Sequence, residues 1–336
     1  MRRLQGAVGM AAFLGCATVA RAQVNEVKKL APDVYFHEGD IKGKGHCNNG
    51  WVVFEDYVLV VDANFPSGAR EIIPKIRALT DKPIRFAFDT HHHGDHAYGN
   101  QVWVEQGATP VAHTGVIEEM KKYETGLFGG KPGRWEDTAK EREDVRGSKL
   151  KAPSLLFPDT LIFDDGVHRV ELHHFGTAHT HGDGFAWLPK EKILFTGDAC
   201  VNGPYNYVGD GQVSDWIKTL DRARALGAQV VGPGHGALGA AAVLEDQQSY
   251  FRELYRVVKA ASEGKSPAEV QSAVEKLRAE LLANSRIARY IGDPFAAQVA
   301  KVYNELTGKS FPDKRAEAEA QRIHVAWHHG EDKDTE

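Results

Sequence analysis

The sequence predicts an α/β protein, a four-layer αββα sandwich with a C-terminal helical extension. Strand-like segments alternate with helical segments in two successive halves of the chain, and the motifs that are richest in histidine and aspartate follow strand-like segments. Residues 240–310 are helical in pattern throughout. A sheet with helices on one side buries its other face against a second sheet. We therefore expect two such layers to face each other, with polar loops meeting at one edge.

Size and charge limit the classes of function. The chain has 336 residues, of which 42% are hydrophobic and 26% are charged, and its formal net charge is -5. This length suits one large α/β domain or two domains of modest size. The composition has no basic surplus for holding a polynucleotide, so we expect a small-molecule substrate and no nucleic acid partner. The sequence leaves the oligomeric state open.

Residues 1–22 have the pattern of a secretory signal peptide. Met1-Arg2-Arg3 precedes an apolar run from Ala7 to Ala20, and Ala20-Arg21-Ala22 is a small-residue cleavage site. The run is too short to cross a bilayer comfortably, so we predict no membrane span. The alternative is a buried N-terminal helix. Cleavage near Ala22 predicts an exported protein, in the periplasm of a bacterial cell.

Cysteine usage is low. Cys16 would leave with the signal peptide, so the mature chain keeps Cys47 and Cys200. An oxidising compartment permits one disulfide, but the sequence does not bring the two residues within bonding distance. We predict two free thiols.

The first half of the chain predicts three short strands and then alternating helices and strands. Glu55-Asp56 is a two-residue turn that predicts a hairpin, and Pro74 should kink the first helix or mark its true start. Gly43 to Gly50 is a glycine-rich loop, and residues 124–152 predict an exposed excursion near the rim of the site. The predicted elements are strands Val34–Phe36, Trp51–Phe54 and Tyr57–Asp62, a helix capped by Ser67 and ending near Leu79, strand Ile84–Asp89, helix Ala97–Gln106, strand Thr109–His113 and helix Thr114–Tyr123.

The second half repeats the pattern and ends in helices. Its predicted elements are strands Val167–Phe175, Phe185–Leu188, Ile193–Phe195 and Gln229–Val231, and helices Asp215–Leu226, Ala240–Ala261, Pro267–Leu282 and Pro294–Leu306. We therefore divide the chain into a signal peptide (1–22), an αββα domain (23–239), a C-terminal helical cap (240–313) and a flexible charged tail (314–336). In that tail, His324, His328 and His329 are expected to be solvated.

One stretch, Thr90-His91-His92-His93-Gly94-Asp95-His96, carries the strongest functional signal. If the strand before it continues into an extended backbone, His91 and His93 share one side and His92 points to the other. Gly94 permits a sharp turn, after which Asp95 and His96 can face a second point. Imidazole nitrogen and carboxylate oxygen are ligands of zinc. The stretch therefore predicts two neighbouring metal sites.

The remaining ligands follow strands farther along the chain. We assign one metal to His91, His93 and His179 and the other to Asp95, His96 and His235. Asp198 can bridge the two ions, since a carboxylate offers two oxygens. The alternative, a chance histidine cluster on a surface loop, does not account for the ligands downstream.

Five motifs occur in order along the chain: Asp62, His91 to His96, His179, Asp198 and His235. With these motifs, residues 30–240 resemble the metallo-β-lactamase superfamily of dinuclear metallohydrolases. The resemblance implies the αββα fold, two zinc ions per chain and hydrolysis. It implies a mainly structural role for Asp62. The β-lactamases of the family that are best known from antibiotic resistance have cysteine or serine where Asp198 stands. The aspartate is shared with glyoxalase-II-like thioesterases, lactonases and many other hydrolases.

The expected chemistry follows from charge. Two divalent ions that share a water molecule lower its pKa toward neutrality and thereby provide a hydroxide for attack on a carbonyl. Asp95 is placed to orient that nucleophile and to shuttle a proton, so it is the predicted catalytic residue. Suitable substrates are esters, thioesters, lactones and lactams. The weaker candidates for substrate contacts are His46, His181, Asn202 and Tyr205, with Tyr207 beside them, although such residues are more often packing or supporting residues.

Three alternatives stay open at this point. The first is a β-lactamase proper, which hydrolyses antibiotics. The second is an iron or di-iron redox protein on the same fold, although the di-iron enzymes carry a glutamate where His93 stands. The third is a non-catalytic metal-binding protein, which predicts the loss of at least one ligand, and none is lost here.

Overall fold

The structure is a computed structural model that describes residues 24–329. The predicted signal peptide, residues 1–22, lies outside that range. Over the described range, no helix combines the length and the apolar character that crossing a membrane would require.

Thirteen strands of the described range form two sheets. The first sheet has seven strands in sequence order and the second has six in the order β13-β12-β11-β10-β9-β8. The first sheet contains β1 (Val27–Ala31), β2 (Val34–His37), β3 (Asn49–Val53), β4 (Val58–Val61), β5 (Ile84–Asp89), β6 (Thr109–His113) and β7 (Leu155–Phe157). The second contains β8 (Thr160–Asp164), β9 (Arg169–His173), β10 (Phe185–Leu188), β11 (Ile193–Phe195), β12 (Val230–Gly232) and β13 (Gly239–Ala240).

The helices lie between and after these strands. They are α1 (Pro66–Arg77), α2 (Gly94–Ala97), α3 (Asn100–Glu105), α4 (Thr114–Tyr123), α5 (Arg134–Glu141), α6 (Glu143–Arg146), α7 (Val213–Ala225), α8 (Ala242–Ser262), α9 (Pro267–Ser272), α10 (Val274–Leu282), α11 (Phe295–Thr307) and α12 (Arg315–His329). The described range also contains three short 3-10 helices, at Thr125–Phe128, Gly197–Ala199 and Ala288–Tyr290.

Pairing within the sheets brings the polar loops to one edge. The predicted hairpin is confirmed, because β3 pairs antiparallel with β4. Strands β4, β5 and β6 are parallel to one another, and so are β11 and β12. Since the carboxyl ends of adjacent parallel strands lie together, the loops after β4 and β5 start side by side in the first sheet. The loops after β11 and β12 do the same in the second.

Alternation along β3 shows how the four layers arise. Trp51 and Val53 pack in a buried cluster with Ile72 and Ile76 of α1. Val52 lies in a different cluster, which joins residues of both sheets. Successive side chains of a strand point to opposite faces, so one face of the first sheet is covered by helices and the other by the second sheet. The predicted αββα sandwich is thereby confirmed.

The C-terminal helices pack on the outer face of the second sheet. Phe185 and Leu194 of that sheet share one buried cluster with Trp216 of α7, Tyr250 of α8 and Phe295 of α11. The apolar stripe of α8 explains this position, since residues three and four apart share a helix face. The helical extension therefore continues the outer layer of the sandwich.

One local prediction at the first helix, the cap by Ser67, is wrong. The helix begins at Pro66, and its N-cap residue Phe65 makes no side-chain cap. Proline is favoured in the first turn because its missing N–H has no helical partner there. Ser67 is therefore inside the helix, with its hydroxyl 2.8 Å from His46 Nε2. Of the two alternatives for Pro74, the structure excludes the start of the helix, because Pro74 lies inside it.

The prediction of a flexible tail over 314–336 is wrong for residues 315–329, which form α12. Ala320 and Ile323 are buried. They are three residues apart and so share one helix face. The prediction that His324 is solvated is wrong too, because its exposed fraction is 6%. For His328 and His329, the side chains lie outside the described part of the chain.

Candidate metal centre

Five loops converge at one edge of the sandwich, and each follows a strand. Asp62 comes directly after β4, and His91 to His96 follow β5. In the second sheet His179 follows β9, Asp198 follows β11 and His235 follows β12. All seven side chains that we predict as ligands are buried.

Three histidines form the first group. The ligand atoms of His91, His93 and His179 lie within 4.8 Å of one another. His93 Nδ1 is 2.9 Å from His179 Nε2. The ring centroids of His91 and His93 are 4.7 Å apart, as expected for residues two apart on extended backbone. His92 faces the other way and stacks on Tyr123 with ring centroids 5.3 Å apart. We call His91, His93 and His179 the tri-histidine group.

A second group combines carboxylates with imidazoles. Asp95 Oδ2 is 3.2 Å from His96 Nε2 and 3.0 Å from His235 Nε2. We call Asp95, His96 and His235 the aspartate group. Asp198 lies between the two groups, since its carboxylate oxygens are 3.3 Å from His96 Nε2 and 3.6 Å from His179 Nε2. This is the position that the predicted bridging role requires.

The donor set fits a metal centre. Buried polar groups are normally hydrogen-bonded. Within residues 24–329, however, His91 Nε2 is buried and has no hydrogen-bond partner. Nitrogen and carboxylate oxygen atoms converging at this density match the ligand preferences of zinc and similar ions. The residues present therefore fit one ion held by the tri-histidine group and a second held by the aspartate group, with Asp198 shared.

Asp62 supports this arrangement from behind. Its Oδ1 accepts hydrogen bonds from the backbone N–H of Thr90 at 3.0 Å and from its hydroxyl at 2.7 Å. Its Oδ2 is 3.0 Å from His96 Nδ1. This contact fixes the ring of His96 with Nε2 turned toward Asp95 and Asp198. The contacts match the structural role that the resemblance implies for Asp62, because ligating histidines commonly rely on such outer partners.

Glycines allow the loops to approach the centre. A Cβ atom on Gly234 would lie 2.0 Å from Asp198 Oδ1, so only glycine fits in front of His235. Gly197 has a φ of 49°, and a Cβ atom there would meet the Thr90 side chain. Gly197 and Gly234 are therefore required by close packing at the site.

The tri-histidine group has supports that the sequence analysis missed. His179 Nδ1 is 2.9 Å from the backbone carbonyl oxygen of Tyr207, to which it donates. His93 Nε2 is 2.9 Å from Asp210 Oδ2. Arg134 of α5 donates to both oxygens of Asp210, at 2.6 and 3.1 Å. The only signal for Asp210 in the sequence is its position between two glycines, and Arg134 has none.

The two groups differ in the direction of their pKa shifts. Burial lowers the pKa of His91 and His93 well below the ordinary histidine value, because few opposite charges compensate for lost hydration. Burial acts the same way on His96 and His235. There, however, the charges of Asp95 and Asp198 prevail, raising the pKa of His96 well above its usual range and that of His235 to about 9.

The four weaker candidates for substrate contact occupy different places. His46 is hydrogen-bonded to Ser67 in the first helix. His181 is exposed and lies 3.2 Å from the Thr177 hydroxyl. Asn202 donates to the backbone carbonyl of Ala237, and its own N–H donates to the carbonyl of His235, so it holds the His235 loop. Tyr205 borders the aspartate group, with its ring 5.9 Å from that of His235.

His324 lies beside the site, although the sequence predicts it in a solvated tail. Its ring stacks on Tyr207 at a centroid distance of 3.9 Å and lies 4.8 Å from the ring of His93. It reaches this position because α12 crosses the tri-histidine side of the centre.

Cys47 and Cys200 are buried and free, as predicted. Cys47 lies within 4.8 Å of Asp62 and His96, and Cys200 belongs to the apolar cluster under the C-terminal helices. Burial raises the pKa of both thiols, which keeps them protonated at neutral pH.

Comparison with solved structures supports the fold. The structure of TMB-1 is 19% identical, with a TM-score of 0.53 over 68% of this chain and 97% of that one. A structure of DIM-1 metallo-β-lactamase is 20% identical, with a TM-score of 0.53 over 69% of this chain and 99% of the other. A metallo-β-lactamase from Pontibacter korlensis is 20% identical, with a TM-score of 0.55 over 68% and 98%. At these identities the likeness shows the αββα fold.

The sequence itself gives the family. The profile of the metallo-β-lactamase superfamily matches residues 43–235, which is more than half of the chain. The match runs from the glycine-rich loop after β2 to His235, so it spans Asp62, all seven predicted ligands and the strands from β3 to β12. The chain belongs to the metallo-β-lactamase superfamily.

Proposed function

We propose that this chain is an exported zinc-dependent hydrolase that acts on an ester-, thioester-, lactone- or lactam-type carbonyl. One observation supports the proposal most strongly. The seven side chains predicted as ligands lie in two buried groups, with Asp198 in contact with both. A fold alone does not specify chemistry. A complete donor set for two ions at the end of a rigid scaffold does favour metal-assisted hydrolysis.

In the proposed hydrolysis, the metal ions and Asp95 have different roles. Two zinc ions, when bound, would supply Lewis acidity toward the carbonyl oxygen and an ionised water molecule as nucleophile. Asp95 has its carboxylate between His96 and His235, where it can orient the water and hold its proton. In the balanced reaction, water adds to the carbonyl carbon and the bond to oxygen, sulfur or nitrogen breaks. The leaving group then takes the proton from Asp95.

A β-lactamase proper is the second candidate. It is supported by the structural likeness to proteins described as metallo-β-lactamases. The residue at position 198 favours the first candidate, because this chain has aspartate where the well-known β-lactamases of the family have cysteine or serine. An iron redox protein and a non-catalytic metal-binding protein are the alternatives from other classes.

The test uses the mature protein, residues 23–336. Mass spectrometry of the metals should find two zinc ions per chain. We expect turnover of a thioester, a lactone or an aryl ester, with slower turnover of the β-lactam nitrocefin and none of a phosphodiester. Asp95→Asn is the matched inactive variant: it keeps the size of the side chain but removes the charge that serves both as a metal ligand and as the base, so turnover should be lost.

Three results would contradict the proposal in different ways. Faster turnover of nitrocefin than of every ester and thioester would favour the β-lactamase. Tightly held iron with no hydrolysis would favour the redox alternative. Two zinc ions with no turnover of any substrate would leave a metal-binding protein.

Export is tested separately. The proposed periplasmic location predicts that protein recovered from the periplasm begins at Gln23. Protein that stays in the cytoplasm with Met1 intact would contradict it.

A further inference from the structure

A cavity lies directly beside the tri-histidine group. Its volume is about 260 Å³, and His93 forms part of its wall. Phe65 and Tyr98 form an aromatic side, with ring centroids 6.1 Å apart. Arg134 lines it from α5. The rest of the lining is mostly polar and includes the carboxylates of Glu124, Asp137 and Glu141. A space that combines an aromatic wall with polar groups next to a reactive centre is a common form of a substrate pocket.

The remaining side of this cavity belongs to α12. Gln321 and His324, one turn apart on that helix, both line it. The ring of His324 lies 4.8 Å from that of His93 and 6.4 Å from that of His179. A substrate with its carbonyl at the centre and its acyl group in this cavity would contact both side chains.

Several contacts hold α12 in this place. The ring of His324 stacks on Tyr207 with an angle of 6° between the planes, and the Tyr207 hydroxyl donates to Gln321 Oε1. On the same helix, Ala320 and Ile323 are buried. The helix is therefore packed as part of the fold, and its inner face has a defined position over the cavity.

The size of the cavity limits what it can hold. Pockets for drug-sized ligands have volumes of about 300–1,000 Å³, so a space of about 260 Å³ suits a compact group. The helix that closes it lies beyond residues 43–235, the part that matches the family profile. The limit is thus imposed by a segment of this chain that the family match does not include.

We propose that α12 is the roof of the substrate cavity and that Gln321 and His324 contact the substrate, so that the enzyme selects compact acyl groups. This proposal rests on the hydrolase function proposed above. It assigns two specificity-determining residues to a helix that also supports the loop of Tyr207.

The first experiment compares acyl chain lengths in the zinc-loaded mature protein. The substrates are p-nitrophenyl acetate, butyrate and octanoate, and the measured quantity is the ratio of kcat/KM for octanoate to that for acetate. His324→Ala enlarges the cavity and should raise this ratio by about tenfold or more, since a few methylene groups in a pocket are worth about that much. His324→Phe keeps an aromatic stack on Tyr207 but adds bulk, so it should lower the ratio.

Two further variants complete the set. Gln321→Ala should raise the ratio in the same direction as His324→Ala, and it keeps the test available if His324→Ala does not fold. Arg322→Ala is the control, because Arg322 is exposed on the same helix and does not line the cavity. Its ratio should stay within about twofold of the wild type.

A second readout does not depend on turnover. Protein loaded with cobalt(II) is titrated with 2-mercaptoethanol and with 2-naphthalenethiol, and binding is followed by visible absorption, because thiolates bind such ions directly. The wild type should favour the smaller thiol, and His324→Ala should reduce that preference by about tenfold, a change of the size expected for lost pocket contacts.

The outcomes separate the two proposals. If the wild type hydrolyses no substrate but discriminates between the thiols through His324, the hydrolase proposal fails. The proposal that α12 covers the cavity and selects compact groups is then still supported. If the wild type hydrolyses esters but both His324 variants and Gln321→Ala keep its chain-length ratio, and His324→Ala keeps its preference between the thiols, the proposal for α12 is overturned. Loss of metal from His324→Ala with unchanged ratios would also overturn it, because α12 would then act only by holding the Tyr207 loop.

Discussion

The two ligand groups of the centre are supported in different ways. In the tri-histidine group, His93 and His179 are oriented by Asp210 and by the carbonyl oxygen of Tyr207, which belong to one loop. In the aspartate group, His96 is oriented by Asp62, which directly follows a strand of the first sheet. One group thus depends on a peripheral loop and on the helices that hold it, whereas the other is fixed within the core of the sandwich.

The charge of the two groups differs as well. Burial lowers the pKa of the histidines in the first group, so their rings are neutral and available as ligands at neutral pH. In the second group, carboxylates raise the pKa of His96 and His235, which therefore carry protons when no other cation is present. A metal ion would take the place of those protons. The aspartate group is thus arranged around a positive charge, and the tri-histidine group consists of neutral donors.

The largest effect is expected where the two groups meet. Asp198→Asn keeps the size of the side chain but removes the charge that contacts His96, His179 and His235. We expect kcat/KM to fall by about a thousandfold or more, as for residues that act as a unit. Mass spectrometry should find fewer than two zinc ions per chain. A variant that keeps two ions and activity within about tenfold of the wild type would show that the groups do not depend on Asp198.

The second prediction concerns pH and the tri-histidine side alone. Glu124 is buried and accepts hydrogen bonds from the Tyr98 hydroxyl and from the backbone N–H of Trp135. It thereby ties the start of α5, which carries Arg134, to the cavity wall. Burial raises the pKa of Glu124 from 4.5 to about 7. Because the folded protein holds this proton more tightly than the unfolded chain does, the stabilising contribution is present below pH 4.5 and is lost as the pH rises through 7.

Glu124→Gln cannot ionise and should not lose that contribution. We expect the free energy of unfolding of the variant, relative to the wild type, to rise by about 3 kcal/mol between pH 4.5 and pH 8. Urea unfolding of both proteins without metal, followed by tryptophan fluorescence, measures this difference. An unchanged difference across that range would mean that the pKa of Glu124 is the same in the folded and the unfolded protein.

The third prediction compares the outer supports directly. Asp210→Asn and Asp62→Asn each keep the side-chain size and remove one carboxylate behind one histidine. Loss of such a partner typically costs about 10- to 100-fold in metal affinity. Asp210→Asn should weaken one metal equivalent and leave the other, and Asp62→Asn should weaken the other equivalent. Competition with a chelator, monitored on cobalt-loaded protein, distinguishes the two.

The same experiment can contradict the independent support of the two groups. If both variants weaken the same equivalent, or both equivalents together, the two groups are not independently supported. Arg134→Lys is a useful addition, because it keeps the positive charge beside Asp210 but loses the two-point contact. It should give a smaller change than Asp210→Asn and act on the same equivalent.

The sequence is most informative for the ligands themselves. The prediction of strand Ile84–Asp89 matches the structure, and the period of two along the backbone after it places His91 and His93 together. The two sheets and their outer helices followed from alternation and from helical stripes. These are local regularities, and each can be recognised within a dozen residues.

The missed features depend on contacts between distant segments. Asp210 supports His93 across 117 positions, and α12 reaches His93 from the end of the chain. The sequence of residues 314–336 resembles a tail because charged residues outnumber apolar ones there, although Ala320 and Ile323 are buried by packing. Tertiary packing of this kind leaves little local trace in sequence. This is why the supports of the tri-histidine group were harder to predict than its ligands.

The smallest effect is expected at Cys47, which borders the aspartate group without serving it. Its thiol lies within 4.8 Å of Asp62 and His96, but His96 uses Nδ1 for Asp62 and turns Nε2 toward Asp95 and Asp198. Burial raises the pKa of the thiol, so the thiolate that a metal would bind is scarce.

Cys47→Ser should therefore keep two zinc ions, with kcat/KM within about twofold of the wild type, because a thiol in such a place serves mainly as a small buried apolar group. Cys200→Ser is the matched control, since Cys200 is equally buried but lies in the apolar cluster under the C-terminal helices. Loss of one zinc ion from Cys47→Ser, with both ions retained in Cys200→Ser, would make Cys47 a ligand. The aspartate group would then resemble the cysteine-containing sites of the family's best-known β-lactamases more than the position of Asp198 suggests.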